Sequence, residues 1–251
     1  MATTALDDKV VVVTGAAQGI GRAYVHRFVA EGATVVAADR NTAGVQSVAA
    51  EIGHGVVPVG LDVADRASCT ELAELLRSRY GRLDGLVNNA AIFSTIRMSP
   101  FWEITDDEWD AVSTVNVKGV WLLTSALVDL LRAAGSASIV NIGSDAVALG
   151  RTDYLHYIAS KGAVAAMSAA MSKELGASGI RVNTLSPGPV YTEIARDTVT
   201  PEQTAAMLAR QALPRPAGPQ DMTSLAAFLL SDASSYITGQ TISVNGGLVH
   251  R

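Results

Sequence analysis

Residues 10–21 read VVVVTGAAQGIG. Four consecutive valines predict a strand buried on both faces, as in a parallel sheet, because a half-exposed strand would alternate apolar and polar residues. Glycines follow at once at positions 15, 19 and 21, and apolar residues then recur at helical spacing. A buried strand that turns through glycines directly into a helix is typical of open α/β folds.

The same alternation of short apolar runs and helical patterns continues along the chain. A capping box of Thr105 and Glu108 precedes one of the predicted helices. Predicted strands are 10–14, 34–39, 56–61, 85–88, 137–142, 181–185 and 241–244, and predicted helices are 19–30, 65–80, 106–134 and 155–175. Since strand–helix–strand crossovers are right-handed, we expect a single-domain, Rossmann-type α/β fold over residues 1–251. It would be a doubly wound sheet of about seven parallel strands with helices on both faces.

One stretch, residues 186–220, interrupts the alternation and holds six of the chain's 8 prolines. A segment of this length within a compact domain is more often functional than a simple connection. We therefore predict a substrate loop at about 186–220.

Composition excludes several classes of function. Charged residues make up 17% of the 251 and the net charge is -5, so we expect no nucleic-acid partner and no binding to an anionic membrane. One cysteine, Cys69, and dispersed histidines give no basis for a metal site. Asp7 and Asp8 before a short apolar run are unlike a signal peptide, and the apolar stretch 163–171 is too short to span a bilayer. These features favour a cytoplasmic protein that acts on a small molecule.

The glycine turn is suited to a dinucleotide. Phosphate oxygens reach backbone N–H groups where no Cβ intervenes, and a helix start offers unpaired donors. Asp39 ends the second predicted strand, eighteen residues after Gly21, where its carboxylate can accept both hydroxyl protons of an adenosine ribose. A 2'-phosphate would meet like charge there, so the sequence predicts NAD rather than NADP as the cofactor. Arg40 could weaken this preference for NAD or lie over the adenine.

Tyr157 and Lys161 are four residues apart on a predicted helix, so their side chains project from one face. A tyrosine phenol has a pKa of about 10, and a neighbouring ammonium would lower it towards the range useful for proton exchange with an alcohol. Ser144 follows the fifth predicted strand, at the edge of the sheet where ligands of α/β folds bind, and its hydroxyl could donate to a substrate oxygen or simply cap a helix. It lacks the second glycine of a G-x-S-x-G hydrolase motif.

These motifs, in this order and spacing, resemble the classical short-chain dehydrogenase/reductase family over essentially the whole chain. The resemblance rests on the spacing of the glycines and on three further motifs: Asn88-Asn89-Ala90-Ala91, Tyr157-Ile158-Ala159-Ser160-Lys161 and Pro187-Gly188-Pro189-Val190-Tyr191-Thr192. Ala91 stands where the family usually has glycine. The resemblance implies that Asp62 and Val63 contact the adenine, that Thr192 and the backbone at Val190 bind the carboxamide, and that Asn116 holds a water that relays protons to Lys161. The implied cofactor contacts are Gly15, Gln18, Gly19, Ile20, Gly21, Asp39, Arg40, Asp62, Val63, Asn89, Ala90, Tyr157, Lys161, Pro187, Val190 and Thr192.

The reaction expected is reversible hydride transfer between a nicotinamide and a secondary alcohol or ketone. Tyr157 would exchange the proton, Lys161 would assist it and hold the ribose, Ser144 would polarise the substrate oxygen and Asn116 would support the relay. A 3-oxoacyl carrier-protein reductase, which would generally use NADP, and a catalytically idle dinucleotide-binding regulator remain alternatives. The resemblance also implies a homotetramer or dimer packed through the helices at 106–134 and 155–175.

Residues near the predicted strand ends indicate a largely apolar substrate, cyclic or aryl. Its contacts would be Ser144, Phe93, Asp145, Tyr154 and Tyr157, with Asp145 either binding a substrate hydroxyl or facing solvent. Further predicted pocket residues are Ile92, Ala146 and Leu149, with Val190, Ile194, Met207 and Leu208 of the loop as a lid.

Overall fold

Seven parallel strands form one sheet in the computed structural model, which describes residues 5–194 and 200–250. The strands lie in the order β3-β2-β1-β4-β5-β6-β7, so the direction of winding reverses between β1 and β4. This is the doubly wound topology that the sequence predicts, and ligands of such sheets bind at the reversal point. The bounds are β1 Val10–Thr14, β2 Thr34–Asp39, β3 Val56–Gly60, β4 Gly85–Asn88, β5 Ala137–Ile142, β6 Ile180–Pro187 and β7 Thr241–Val244.

The consecutive valines of β1 supply two separate cores. Val11 and Val13 pack with one cluster of buried residues, whereas Val10 and Val12 pack with the cluster on the opposite face of the sheet. Side chains alternate along a strand, so an uninterrupted apolar run is what a sheet covered on both faces requires.

Helices cover both faces, and the structure contains more of them than the sequence predicts. Their bounds are α1 Gly19–Ala30, α2 Thr42–Ile52, α3 Arg66–Arg79, α4 Asp106–Ser113, α5 Gly119–Ala133, α6 Ala146–Leu149, α7 Leu155–Leu175, α8 Pro201–Ala209 and α9 Gln220–Leu230. The predicted capping box of Thr105 and Glu108 is present at the start of α4. The predicted helix over 106–134 is present as one continuous stretch, Asp106–Ala133, and a π-helical turn, Thr114–Lys118, lies within it between α4 and α5.

This helical stretch, Asp106–Ala133, is by length and composition also able to cross a membrane. In the structure less than half of its most apolar part is buried, and Leu122, Leu123 and Leu127 lie against the sheet and α3. Part of its hydropathy therefore comes from residues that pack in the core.

The predicted loop at 186–220 is partly regular. Its first residues belong to β6, and α8 occupies Pro201–Ala209, while residues 195–199 lie outside the described part of the chain. After α8 the chain returns to the sheet edge, where Tyr191 N donates to Ala217 O at 2.8 Å. Near the end of the segment, the Arg215 guanidinium donates two hydrogen bonds to the Asp221 carboxylate, at 2.6 and 2.9 Å.

Candidate active site

The glycine turn after β1 is held against the end of β4. The Thr14 hydroxyl accepts from the backbone N–H groups of Asn89 and Ala90, both at 3.0 Å, and the Asn89 amide donates to the carbonyls of Thr14 and Gly15. Gly15 has φ +64°, and a Cβ there would lie 2.9 Å from the Ala90 Cα. Only glycine fits this turn, and Asn89 and Ala90 shape it.

The backbone at Ala91 has no need of the glycine that the family usually places there. Among the described non-glycine residues only Asp8 and Asp153 have positive φ. Ala91 therefore adopts an ordinary conformation, and the departure from the family pattern is accommodated without strain.

The start of α1 already carries an anion. Gly19 N donates to a carboxylate oxygen of Glu193 at 2.7 Å, where the sequence predicts a phosphate. A Cβ on Gly21 would lie 2.0 Å from the Gly15 carbonyl oxygen, so turn and helix pack too closely for any side chain. A backbone N–H that donates to an anion at a helix start, in a space that a Cβ would fill, is suited to a dinucleotide pyrophosphate. Gln18 and Ile20 line the same cavity.

The carboxylate of Asp39 lies beside this turn. One oxygen accepts from Ala17 N at 3.1 Å and the other from Asn41 N at 2.9 Å, which fixes the carboxylate at the end of β2. Asp39 and Arg40 both line the cavity, as do Asp62 and Val63 after β3. The structure thus gathers at one end of the cavity the side chains that the sequence assigns to ribose and adenine.

Tyr157 and Lys161 lie one turn apart on α7 and border the same cavity. Both are buried, with 7% and 5% of their surface exposed. The Lys161 ammonium lies 5.8 Å from the centre of the Tyr157 ring and donates to Ile142 O at 2.7 Å. Burial lowers the pKa of Lys161 to about 8. A cation held in a dry site next to a phenol stabilises the phenolate more strongly than it would in water.

Ser144 lies two residues beyond β5 and faces the cavity. Its hydroxyl oxygen accepts from Ala146 N, at the start of α6, at 3.2 Å. Ser144 therefore also contacts the start of a helix, as the alternative interpretation predicts. The hydroxyl hydrogen has no acceptor among the described residues, which leaves it available to donate to a ligand.

Asn116 does not reach the cavity with its side chain. It lies in the π-helical turn, is 1% exposed, and its amide oxygen accepts from Ile92 N at 2.8 Å. Its amide nitrogen donates to Ile92 O and to the Ser160 hydroxyl. The side chain therefore joins the segment after β4 to α7.

A cavity of about 460 Å³ runs from the glycine turn past Tyr157, with polar groups at the turn and apolar residues near Tyr157. Phe93 forms its wall, with ring centres 4.6 Å from Tyr157 and 6.1 Å from Tyr154. A second cavity of about 530 Å³ adjoins it under the loop and includes Thr192 in its lining. Other predicted residues that line the first cavity are Ile92, Ala146, Leu149, Pro187, Val190, Ile194 and Met207, whereas Leu208 lines neither.

The prediction that Asp145 contacts substrate or solvent is wrong. Asp145 is fully buried, and its carboxylate accepts from the Ser243 hydroxyl at 2.8 Å and from the Asn245 amide at 2.7 Å. Its backbone N–H bonds to Pro187 O, which turns the side chain away from the cavity towards β7. Asp145 is a structural link between the Ser144 segment and the end of the chain.

Sequence reasoning missed Glu193 and Arg151 as residues of the site. Arg151 lines both cavities, and its guanidinium carbon lies 4.7 Å from the centre of the Tyr154 ring. Glu193 directly follows a recognised motif and Arg151 lies between Ser144 and Tyr157, but a sequence gives no sign of which cavity or backbone group a loop side chain will reach.

Comparison with known proteins reveals close relatives. A family model described as Enoyl-(Acyl carrier protein) reductase matches residues 15–249. The chain is 38% identical to the 3-oxoacyl-(acyl-carrier-protein) reductase FabG of Thermotoga maritima, over 97% of this chain and 99% of that protein. It is 35% identical to the D-threitol dehydrogenase of Mycolicibacterium smegmatis, over 96% and 93% respectively. A solved structure titled short-chain dehydrogenase/reductase SDR:Glucose/ribitol dehydrogenase, from Brucella melitensis, matches with a TM-score of 0.92 at 32% identity, covering 99% of this chain and 100% of that chain.

Proposed function

Because the chain belongs to the short-chain dehydrogenase/reductase family of oxidoreductases, we propose that it is an NAD-dependent alcohol dehydrogenase or ketoreductase. Its substrate would be a secondary alcohol or ketone with a largely apolar, cyclic or aryl body. The observation that carries the proposal is the buried Lys161 ammonium beside the Tyr157 ring, on the wall of a cavity that also reaches the glycine turn.

The chain's own residues would divide the chemistry as follows. Tyr157 exchanges a proton with the substrate oxygen, and Lys161 stabilises the phenolate through its nearby charge. Ser144 donates its free hydroxyl hydrogen to the same oxygen. Asn116 is a positioning residue that acts through Ile92 and Ser160. When bound, the nicotinamide supplies the site that gives or takes the hydride.

Preference for NAD would come from Asp39. Its carboxylate is fixed by two backbone N–H groups beside the glycine turn, and it would accept from ribose hydroxyls but repel a 2'-phosphate. The pyrophosphate would bind at Gly19 N, Asp62 and Val63 would flank the adenine, and Thr192 with Val190 would bind the carboxamide.

An apolar substrate is favoured by the lining of the cavity. Phe93, Tyr154 and Leu149 offer apolar surface, and the burial of matching substrate surface contributes roughly 25 cal/mol per Å². Val190, Ile194 and Met207 would close over it as part of a substrate loop within the single domain.

Reduction of 3-oxoacyl groups on a carrier protein is the second candidate, because the Thermotoga maritima relative bears that name. The named relatives differ in their printed activities, so similarity alone does not select a substrate. An acyl carrier protein is acidic and needs a basic docking surface. Arg132, the one basic residue in 126–138, already pairs with Asp129 at 3.3 Å.

We also propose a cytoplasmic homotetramer or dimer. Trp109 on α4, Trp121 on α5 and Leu155 on α7 are large exposed apolar residues on the helices through which assembly is expected. Light scattering of the purified protein tests the assembly.

A panel of ketones and alcohols with NAD(H) and NADP(H), applied to the parent protein and to Tyr157→Phe, tests the proposal. We expect Tyr157→Phe to bind NAD within a few-fold of the parent while kcat falls at least about a hundredfold. Tyr236→Phe, at a fully exposed tyrosine, is the matched control. A Tyr157→Phe protein that kept about a tenth of the parent kcat would contradict the assignment. No turnover of any carbonyl by the parent would favour the idle regulator.

A further inference from the structure

Arg151 lies where the two cavities meet, on the turn that follows α6. Its backbone N–H donates to Ala146 O at 3.1 Å, which fixes the turn. Its guanidinium lies against the ring of Tyr154, with 4.7 Å between the guanidinium carbon and the ring centre. The side chain is half-buried, so its charge is partly shielded from water.

An aromatic wall connects this charge to the proposed reaction centre. The ring of Phe93 lies near the rings of both Tyr157 and Tyr154, and the guanidinium of Arg151 lies against Tyr154. A substrate whose carbonyl lies at Tyr157 and whose apolar body lies along Phe93 would carry its far end to the guanidinium.

Arg151 has no carboxylate within 4.0 Å of its guanidinium in the part of the chain that the structure describes. Some exposed arginines pair with a carboxylate, such as Arg215 with Asp221 at 2.6 Å and Arg132 with Asp129 at 3.3 Å. The acids that line the first cavity, Asp39 and Asp62, follow β2 and β3 at the end assigned to the dinucleotide. Asp153 also lines the second cavity, where one of its carboxylate oxygens accepts from the Thr152 hydroxyl at 3.2 Å. Among the described residues, the substrate end of the site therefore presents a guanidinium whose planar donors are not paired with a carboxylate.

We propose that Arg151 is a specificity residue that binds a carboxylate on the substrate, so that the preferred substrate is a ketone or secondary alcohol with an apolar body and a carboxylate at its far end. This inference rests on the proposed function and narrows its substrate class. The planar guanidinium can donate two parallel hydrogen bonds to a carboxylate, and its stacking on Tyr154 orients the donors before the substrate arrives. Arg210, which lines only the second cavity, is the comparison.

The test uses methyl ketones with a terminal carboxylate and spacers of increasing length, each paired with the neutral primary amide of the same skeleton. For the best spacer we expect the parent enzyme to prefer the acid by about tenfold or more in kcat/KM. Arg151→Met should remove that preference by lowering kcat/KM for the acid much more than kcat/KM for the amide. Arg210→Met should preserve the preference.

A second measurement does not depend on turnover. Dissociation constants of the corresponding hydroxy acid and hydroxy amide are measured in the non-reacting complex with NADH, and the acid should bind more weakly to Arg151→Met by a similar factor. Equal use of acid and amide by the parent overturns the inference while the proposed function stands. Equal loss of both in Arg151→Met, or loss of the preference in Arg210→Met, also overturns it. Failure of the parent to turn over any ketone counts against the proposed function, and the binding comparison then still decides the role of Arg151.

Discussion

The Glu193 carboxylate accepts the hydrogen bond from Gly19 N that a dinucleotide pyrophosphate would also accept, so the two anions would compete for this donor. Gly19 N cannot donate to both at full strength, and each would repel the other at the start of α1. We therefore expect Glu193→Gln to bind NAD more tightly than the parent protein.

The expected gain in affinity for NAD follows from one hydrogen bond, the 2.7 Å contact from Gly19 N to the Glu193 carboxylate. A hydrogen bond to a charged group is worth about 1.5–3 kcal/mol and a neutral one about 0.5–1.5 kcal/mol. Because Glu193 is exposed, solvent screening favours the low end of the difference. A weakening of the competing contact by about 1 kcal/mol corresponds to a dissociation constant for NAD about fivefold lower.

Titration calorimetry with NAD measures this change, and Glu74→Gln, at an exposed glutamate of α3, alters the net charge equally without touching the turn. The gain should shrink as salt is raised, because both anions are partly exposed. An unchanged or higher dissociation constant in Glu193→Gln would refute the competition.

Three further results are expected. Asp39→Ala should narrow a preference for NAD over NADP of at least about tenfold in kcat/KM, measured with one substrate and both cofactors. For Lys161, whose pKa falls from 10.5 to about 8 on folding, the unfolded chain binds more protons between these pH values. The free energy of unfolding should rise with pH over that interval, and Lys161→Met should reduce the rise in urea titrations. Asp145→Ala removes the acceptor of Ser243 and Asn245 and should lower the free energy of unfolding by about 3 kcal/mol, whereas Asp110→Ala, at an exposed aspartate of α4, should change it little.

Sequence patterns predict those strands and helices in which burial alone decides where the apolar residues stand. The valines of β1 are apolar because both faces of that strand are covered, and α7 is long and regular. By contrast, α2 has only Val45 and Val48 buried and carries Gly44 in its first turn, so its helical pattern is weak. The visible signal was Asn41, whose side chain accepts from Gly44 N and caps the helix.

Side-chain direction at the site could not be predicted where the deciding partner is remote. Asp145 turns inward because Ser243 and Asn245, about a hundred residues later, supply its donors. Glu193 reaches Gly19 across 174 residues. Motif spacing places a residue at the carboxyl edge of the sheet, but a packed tertiary contact decides which way it faces from there.

Asn116 shows why a mid-helix asparagine is useful in such a site. Its side chain binds both backbone groups of Ile92 and the hydroxyl of Ser160, and Ser160 in turn donates to Tyr157 O. Phe93, next to Ile92, packs on the Tyr157 ring at 4.6 Å. One buried amide thus sets the distance between the wall of the cavity and the phenol, and the π-helical turn delivers it to that position. An aliphatic residue of the same size would favour the helix more but would leave Ile92 unpaired, so the cost in helix propensity is offset by a fixed geometry around Tyr157.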